Sequence, residues 1–237
     1  MTQVNLRKGL LGQWTFDDAD IDSVRDRIHD RSGYGYDGVM EGGITTGIAS
    51  PLGNAVSFSG DSAEGIEVGD DGDADSPFQT DTVSAHALVR VHEKPDDSVN
   101  NRGIAETHDS AFRPSTGWGF NMNYSEPALE WNLGDGSGDR TLNIRADIDL
   151  DRWYLATGRA SVEEDKSQFY LDGDFIGELD GIDGEAMSDG DSFSISAGPG
   201  GRSPQFDIAY LSVHNRYLSD AELTLLNSMS GQMVSQL

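Results

Sequence analysis

The feature that most restricts this chain is its rhythm. Short runs of alternating apolar and polar residues follow one another at close spacing, each cut off by Gly, Asp, Asn or Pro. Side chains in a strand alternate between two faces, so such runs read as strands with one buried side. Thr82–Val91 (TVSAHALVRV) is the clearest. Asn54–Ser59, Gly65–Val68, Arg102–Glu106, Gly117–Tyr124, Leu129–Leu133, Thr141–Ala146, Arg152–Ala160 and Phe193–Ala197 continue the pattern. Asp172-Gly173, between Ser167–Leu171 and Phe175–Leu179, is a tight hairpin turn.

The last run, Phe206 to His214, must pair with something already folded. The expected partner is Gly9–Phe16 (GLLGQWTF) at the other end of the chain. Strict alternation would turn Ile208, Tyr210, Ser212 and His214 one way, and Asp207, Ala209, Leu211 and Val213 the other. Asn215-Arg216 ends the strand. Ser219 then offers an N-cap, Glu222 a capping-box partner, and Leu223 and Leu226 an apolar stripe, which together predict one short helix. About a dozen strands and a single C-terminal helix predict an all-β fold, a two-sheet antiparallel β-sandwich or jelly roll. No internal repeat or linker interrupts it. The expectation is one domain over residues 1–237 with its core in 9–226.

Charge excludes several functions. Acidic residues outnumber basic ones 42 to 16, a net charge of −26. The acids run along the whole chain, and the regular apolar strands argue against disorder. A surface adapted to concentrated salt fits this pattern, because salt screens the self-repulsion while carboxylates keep the surface hydrated. Such a chain cannot neutralise a phosphate backbone, so nucleic acid is not an expected partner. No apolar run is long enough to span a membrane, and the N-terminus lacks the apolar stretch of a signal peptide. The chain has no cysteine.

Six motifs stand in a recognisable order: GLLGQWTFDD, DRSGYGYDG, GNAVSFSGD with AEGIEV, TVSAHALVRV, DRWYLATGRA with SQFYLDGDFIGEL, and FDIAYLSVHNRYLSDAEL. Together they resemble the laminin-G-like jelly roll, a branch of the concanavalin A-like lectin/glucanase superfamily, over roughly residues 9 to 226. The resemblance implies two curved sheets and a face that often binds carbohydrate. The fold hosts lectins, adhesion modules, glycosidase accessory domains and virion parts, so the family alone does not set the function.

Alternation suggests where a ligand would sit. Trp118, Phe120, Met122 and Tyr124, then Leu129, Trp131 and Leu133, then Leu142 and Ile144, belong in the core. The intervening Asn121, Asn123, Glu130, Asn132, Asn143 and Arg145 would stand on one outer face of neighbouring strands. Amides and a carboxylate–guanidinium pair suit sugar hydroxyls, which both donate and accept. A solvated sheet face is also polar by default. A register shifted by one residue would instead put Trp118 and Trp131 outside as stacking platforms. Asn123-Tyr124-Ser125 is the one glycosylation sequon, so this face could carry a glycan rather than bind one.

The resemblance also implies calcium, held by the loop after the first strand and by the last strand. Asp17 and Asp30 suit that role, since calcium takes several oxygen ligands. The family's acidic pair in the last strand falls on Ala209 and Tyr210 here, leaving Asp207 as the nearest acid. Asp71-Gly72-Asp73-Ala74-Asp75 opens like an EF-hand loop but lacks its later Gly and Glu.

Catalysis finds little support. The superfamily's glucanases carry Glu-x-Asp-x-x-Glu on a strand; the nearest stretch, Glu178 to Glu185, is longer and broken by glycines. The five histidines show no metal spacing, and no nucleophile elbow or phosphate loop is present. The expectation is a non-catalytic carbohydrate-binding or adhesion module. Its expected partners are a surface glycan or glycoprotein, further copies of itself or other virion proteins. Acidity, the missing signal peptide and the stand-alone fold suggest display on a virion surface of a halophilic virus, or another extracellular setting. The alternatives are a purely structural capsid or tail component and a divergent glycoside hydrolase.

Overall fold

A computed structural model describes residues 5–61, 63–69, 76–93, 103–107, 116–123, 125–136, 141–188, 192–196 and 204–234. The chain opens with β1 (Leu10–Trp14), a 3-10 turn at Asp18–Asp20, and the short strands β2 (Ile21–Asp22), β3 (Arg27–Ile28) and β4 (Gly38–Glu41). A hairpin of β5 (Thr45–Ser50) and β6 (Gly53–Phe58) leads into β7 (Gly65–Val68) and the long β8 (Thr82–Glu93). Then come β9 (Gly103–Glu106), β10 (Trp118–Met122), β11 (Ala128–Gly134) and β12 (Thr141–Asp147). A second group follows: β13 (Trp153–Ser161), β14 (Lys166–Leu171), β15 (Asp174–Leu179), α1 (Gly184–Ser188), β16 (Phe193–Ile195), β17 (Gln205–His214) and α2 (Asp220–Val234).

The strands form two antiparallel sheets. The first runs β15-β14-β13-β8-β17-β6-β5, with β1 also paired to β17; the second runs β12-β11-β10-β9-β16-β7-β4-β3-β2. This is the all-β sandwich that the alternation predicts. The chain closes as expected, because Trp14 pairs with Leu211 and Leu10 with His214. Trp14 has no solvent exposure.

Alternation sets what faces the core. Val83, Ala85, Ala87, Val89 and Val91 of β8 meet Trp118, Phe120, Met122, Leu129, Trp131 and Leu133 of β10 and β11 in one cluster. The unshifted register therefore holds, and the tryptophans are not outer platforms. The expected core residue Tyr124 lies outside the described residues. Burying a Leu-sized side chain contributes about 1.5–3 kcal/mol, so this cluster supplies most of the drive to fold.

Two expectations change, and one feature is added. First, β17 is not strictly alternating. Its pairing with β8 shifts between Ile208 and Tyr210, so Ala209 and Tyr210 together span one residue of the partner strand. Phe206, Ile208, Leu211 and Val213 all face the core cluster. Ala209 and Tyr210 join Leu88, Trp153 and Leu155 in a second cluster instead. Second, β5 and α1 were not expected: TTGIAS does not alternate, and GEAMS is too short to show a helical stripe. Third, the first sheet's outer face is roofed. Leu218, Leu223 and Leu226 pack there with Leu6 and Tyr170. The helix start is as expected: the Glu222 carboxylate accepts from the Ser219 backbone N–H (2.9 Å) and hydroxyl (2.8 Å).

Candidate functional site

The second sheet carries the polar residues that alternation assigns to its outer face. In β10 and β11, Asn121 faces Glu130 across the pair. In β11 and β12, Glu130 faces Arg145 and Asn132 faces Asn143. All six thus share one patch of strands, on the side away from Trp118 and Trp131.

The structure divides them. Asn121, Asn123, Glu130 and Asn132 are only 5–8% exposed. They bond to one another and to Glu106. Asn132 Nδ2 donates to Asn121 Oδ1 (2.9 Å), and Asn121 Nδ2 donates to Glu106 Oε2 (2.7 Å). Asn123 Nδ2 donates to Glu130 Oε1 (2.6 Å), while Asn123 Oδ1 accepts from the Ser125 N–H and hydroxyl and from the Glu126 N–H. A carboxylate only accepts, so Glu106 orients Asn121, and Asn121 in turn orients Asn132. The amide oxygen of Asn132 has no hydrogen-bond partner among the described residues. Gly103 makes room for this arrangement, because a Cβ there would lie 2.7 Å from Glu106 Oε2 and closer still to the carboxyl carbon. These four residues are therefore an internal network, not the solvated patch expected. The sequon asparagine is part of this network, its Nδ2 donating to Glu130. Asn143 and Arg145 remain exposed on β12, with Arg145 ion-paired to Glu126.

Asn143, Arg145 and Asp147 alternate along the same exposed side of β12. That strip runs into a cleft of about 380 Å³, formed by the end of β12, the turn after it, the start of β13 and the β14–β15 hairpin. Asp147, Asp149, Asp172 and Asp174 line it with Arg152 and Tyr154; Ile148, Leu171 and Ile176 supply apolar wall. Arg152 stacks 4.6 Å over the Tyr154 ring and pairs with Asp172 at 3.0 Å. Asp172 also accepts from the Leu155 N–H (2.9 Å), and the Tyr154 hydroxyl accepts from the Asp149 N–H (2.9 Å). Arginine, tyrosine and hairpin thus brace each other. The carboxylates of Asp147, Asp149 and Asp174 have no hydrogen-bond or ion-pair partner among the described residues. Sequence reading passed over this cleft because Asp149, Asp172 and Asp174 look like ordinary turn residues. Its available signal was the recurrence of aspartates in the turn before β13 and in the turn between β14 and β15.

The expected calcium ligands are engaged separately. Asp17 caps the 3-10 turn by accepting from the Asp18 N–H (2.9 Å). The Asp30 carboxylate accepts from the backbone N–H groups of Gln13, Ser32, Gly35 and Tyr36 and from the Ser32 hydroxyl, organising the Gly-rich turn. Asp207 is buried and receives Arg90 (2.6 Å) and His92 (2.9 Å) on the first sheet's outer face. Among the described residues, no group of three or more His, Cys, Asp or Glu side chains is placed to hold a metal ion. The Asp71–Asp75 stretch lies outside the described residues. Of the acids weighed for catalysis, Glu178 on β15 accepts from Gln168 (2.5 Å), which with the nearby Lys166 draws its pKa down, and Asp183 accepts from the Ala186 N–H at the start of α1.

No family model matches the sequence, and no curated protein matches it. Solved structures do share the fold. A chain of botulinum neurotoxin type C matches with a TM-score of 0.70 and 13% identity over 96% of this chain and 53% of that one. The binding domain of Paraclostridial mosquitocidal protein 1 matches with a TM-score of 0.70 and 15% identity over 95% and 53%. The binding domain of botulinum neurotoxin DC, in complex with rat synaptotagmin II, matches with a TM-score of 0.67 and 15% identity over 95% and 52%. At such identities the likeness defines the class by fold, an antiparallel β-sandwich of the kind found in toxin binding domains. This chain spans about half the length of those it matches.

Proposed function

We propose that this protein is a non-catalytic glycan-binding module, with its ligand in the cleft between β12 and the β13–β15 strands. The observation that carries this reading is the set of three carboxylates without a partner among the described residues, beside a braced Arg152–Tyr154 stack, in a cleft of about 380 Å³. Carboxylates accept from sugar hydroxyls, the guanidinium donates to them, and Ile148 and Ile176 offer apolar surface to the C–H faces of a ring. Asn143 and Arg145 would extend contact along β12.

The neighbours support a binding role. One concerns a neurotoxin whose cell entry depends on two ganglioside molecules, and another is a binding domain in complex with rat synaptotagmin II. Their chains are about twice as long, so their ligands come to this chain only as a proposal. The cleft has four aspartates to one arginine. That balance favours neutral or amine-bearing sugars over acidic ones. Each hydrogen bond contributes roughly 0.5–1.5 kcal/mol net, so single sites bind weakly and several copies of the chain would bind together. Display on a virion of a salt-adapted host, or another extracellular setting, belongs to the same reading and rests on the acidic surface. So does a family-type calcium ion on the loop carrying Asp17 and Asp30.

A panel of immobilised neutral, amino and acidic oligosaccharides tests the reading. Binding of the multivalent protein to neutral or amino members, without cleavage of them, is expected. No binding to any member leaves the fold as a structural spacer, and release of reducing ends makes it an enzyme.

A further inference from the structure

The outer face of the first sheet holds a second polar cluster, away from the cleft. His86 of β8 and His214 of β17 lie with ring centroids 6.0 Å apart, edge to face. Both are at most 2% exposed. Each has one nitrogen engaged: His86 Nδ1 with the Thr157 hydroxyl (2.9 Å), and His214 Nε2 with the backbone carbonyl of Leu6 (2.9 Å). The other nitrogen of each, His86 Nε2 and His214 Nδ1, has no hydrogen-bond partner among the described residues. Buried polar groups are normally paired, so two orphaned imidazole nitrogens side by side call for an explanation.

The roof over these rings is made from the two ends of the chain. His214 holds Leu6, and Arg216 reaches the carbonyls of Asn5 (3.1 Å) and Lys8 (2.5 Å). The Leu218 N–H donates to Ser84 (3.0 Å), two residues before His86 on β8, and leads into α2.

We propose that His86 and His214 form an acid-operated latch: proton uptake by the pair releases the N-terminal segment and α2 from the outer face of the first sheet. The electrostatics around the rings favour release. From β13, Arg159 faces His86, and its guanidinium is already paired with Asp220 of α2. From the segment before α2, Arg216 lies near His214 and is paired with Glu222. Gln168 and Tyr170 of β14 and Tyr217 bond to Arg159 or to one another, and Glu178 of β15 bonds to Gln168 and Lys166. Gln13 of β1 is bonded to Tyr210. The carboxylates of Asp220 and Glu222 are already paired with Arg159 and Arg216, so a His86 imidazolium meets the positive charge of Arg159 and His214, while at His214 the pull of Glu222 only partly offsets burial and Arg216. Burial, and after it the charge of His214 and Arg159, holds His86 well below the ordinary imidazole value of 6.5; burial and then Arg216 lower His214, against the pull of the Leu6 and Ser84 backbone and of Glu222. The sign follows. The opened state titrates nearer 6.5 and binds more protons, so the closed roof is favoured above that pH and weakens as pH falls below it. Opening would expose Leu218, Leu223, Leu226 and Tyr170, a device of the kind that couples acidity to a new binding surface.

Hydrogen exchange on the intact protein at pH 7.5 and pH 5.0, corrected for intrinsic rates, tests the latch. Residues 5–8 and 216–226 are expected to lose at least tenfold in protection at the lower pH while β10 and β11 stay protected. The double variant His86→Gln/His214→Gln is expected to keep both segments closed at pH 5.0. Equal protection at the two pH values, loss only together with global unfolding, or opening of the variant at the same pH as the wild type would each overturn the proposal. Should the variant not fold, imidazole NMR titration of the wild type decides. Both rings must take up protons in the interval where the roof opens, and rings still neutral after opening contradict the latch.

Discussion

Gly158 of β13 lies directly against the indole of Trp131 on β11, so that a Cβ at Gly158 would stand 2.6 Å from Cε2 and closer still to two other ring carbons. The contact joins the two sheets at the centre of the sandwich. The indole N–H also donates to the Ser167 hydroxyl of β14 (3.0 Å), so the ring has a fixed orientation and cannot swing aside. Gly158→Ala is expected to cost about 1–3 kcal/mol or more, as overpacking does. Urea unfolding followed by tryptophan fluorescence reads this, and an unchanged midpoint would show that the interface is looser than described.

The network on the second sheet is buried and bonded within itself, which predicts a signature different from that of a binding site. Asn121→Ala removes the link between Asn132 and Glu106. Leaving buried partners unsatisfied costs about 1–3 kcal/mol for each group. A lower melting temperature with glycan affinity retained per folded molecule is expected. Full stability with binding abolished would return these residues to the ligand site.

At the start of α2, Arg216 grips Glu222 through two bonds of 2.8 and 2.7 Å. This pairing, with help from Ser219, draws the Glu222 carboxyl down to about 2. A depressed carboxylate contributes stability that is present above its ordinary value of 4.5 and is lost as pH falls from there towards about 2. Glu222→Gln should therefore flatten the acid limb of the stability profile in that window. A variant whose profile there matches the wild type would contradict the assignment.

Salt should matter more than for an ordinary domain. With a net charge of −26, self-repulsion is felt across the molecule at ~0.01 M ionic strength, where the Debye length is roughly 30 Å, and is screened within about 3 Å at 1 M. The melting temperature is expected to climb steeply from dilute buffer to molar potassium chloride. A flat response would mean that the acidity is not an adaptation to salt.

Much of the fold was legible because alternation is a direct imprint of the pleat. Trp118, Phe120 and Trp131 announce the core, and the pairing of Trp14 with Leu211 follows from two apolar strands at the chain ends. The bulge at Ala209-Tyr210 left no mark, since both residues are apolar enough for either face and the shift shows only in the pairing with β8. The outward direction of Asn121 and Glu130 was also legible, but their burial was not. Amides that bond to each other and amides that meet water look alike in a sequence. The cleft was the least visible, because Asp147 comes from one sheet and Tyr154 and Asp174 from the other, and only the closed sandwich brings them together.

The central claim is that the cleft binds sugar, and a titration tests it most directly. Asp149 and Asp174 are exposed and have no partner among the described residues, so Asp149→Asn/Asp174→Asn should fold as the wild type does. Isothermal titration with the best neutral or amino oligosaccharide from the panel is expected to show affinity at least tenfold weaker for this variant, with the melting temperature unchanged. Equal affinity in wild type and variant would contradict the account.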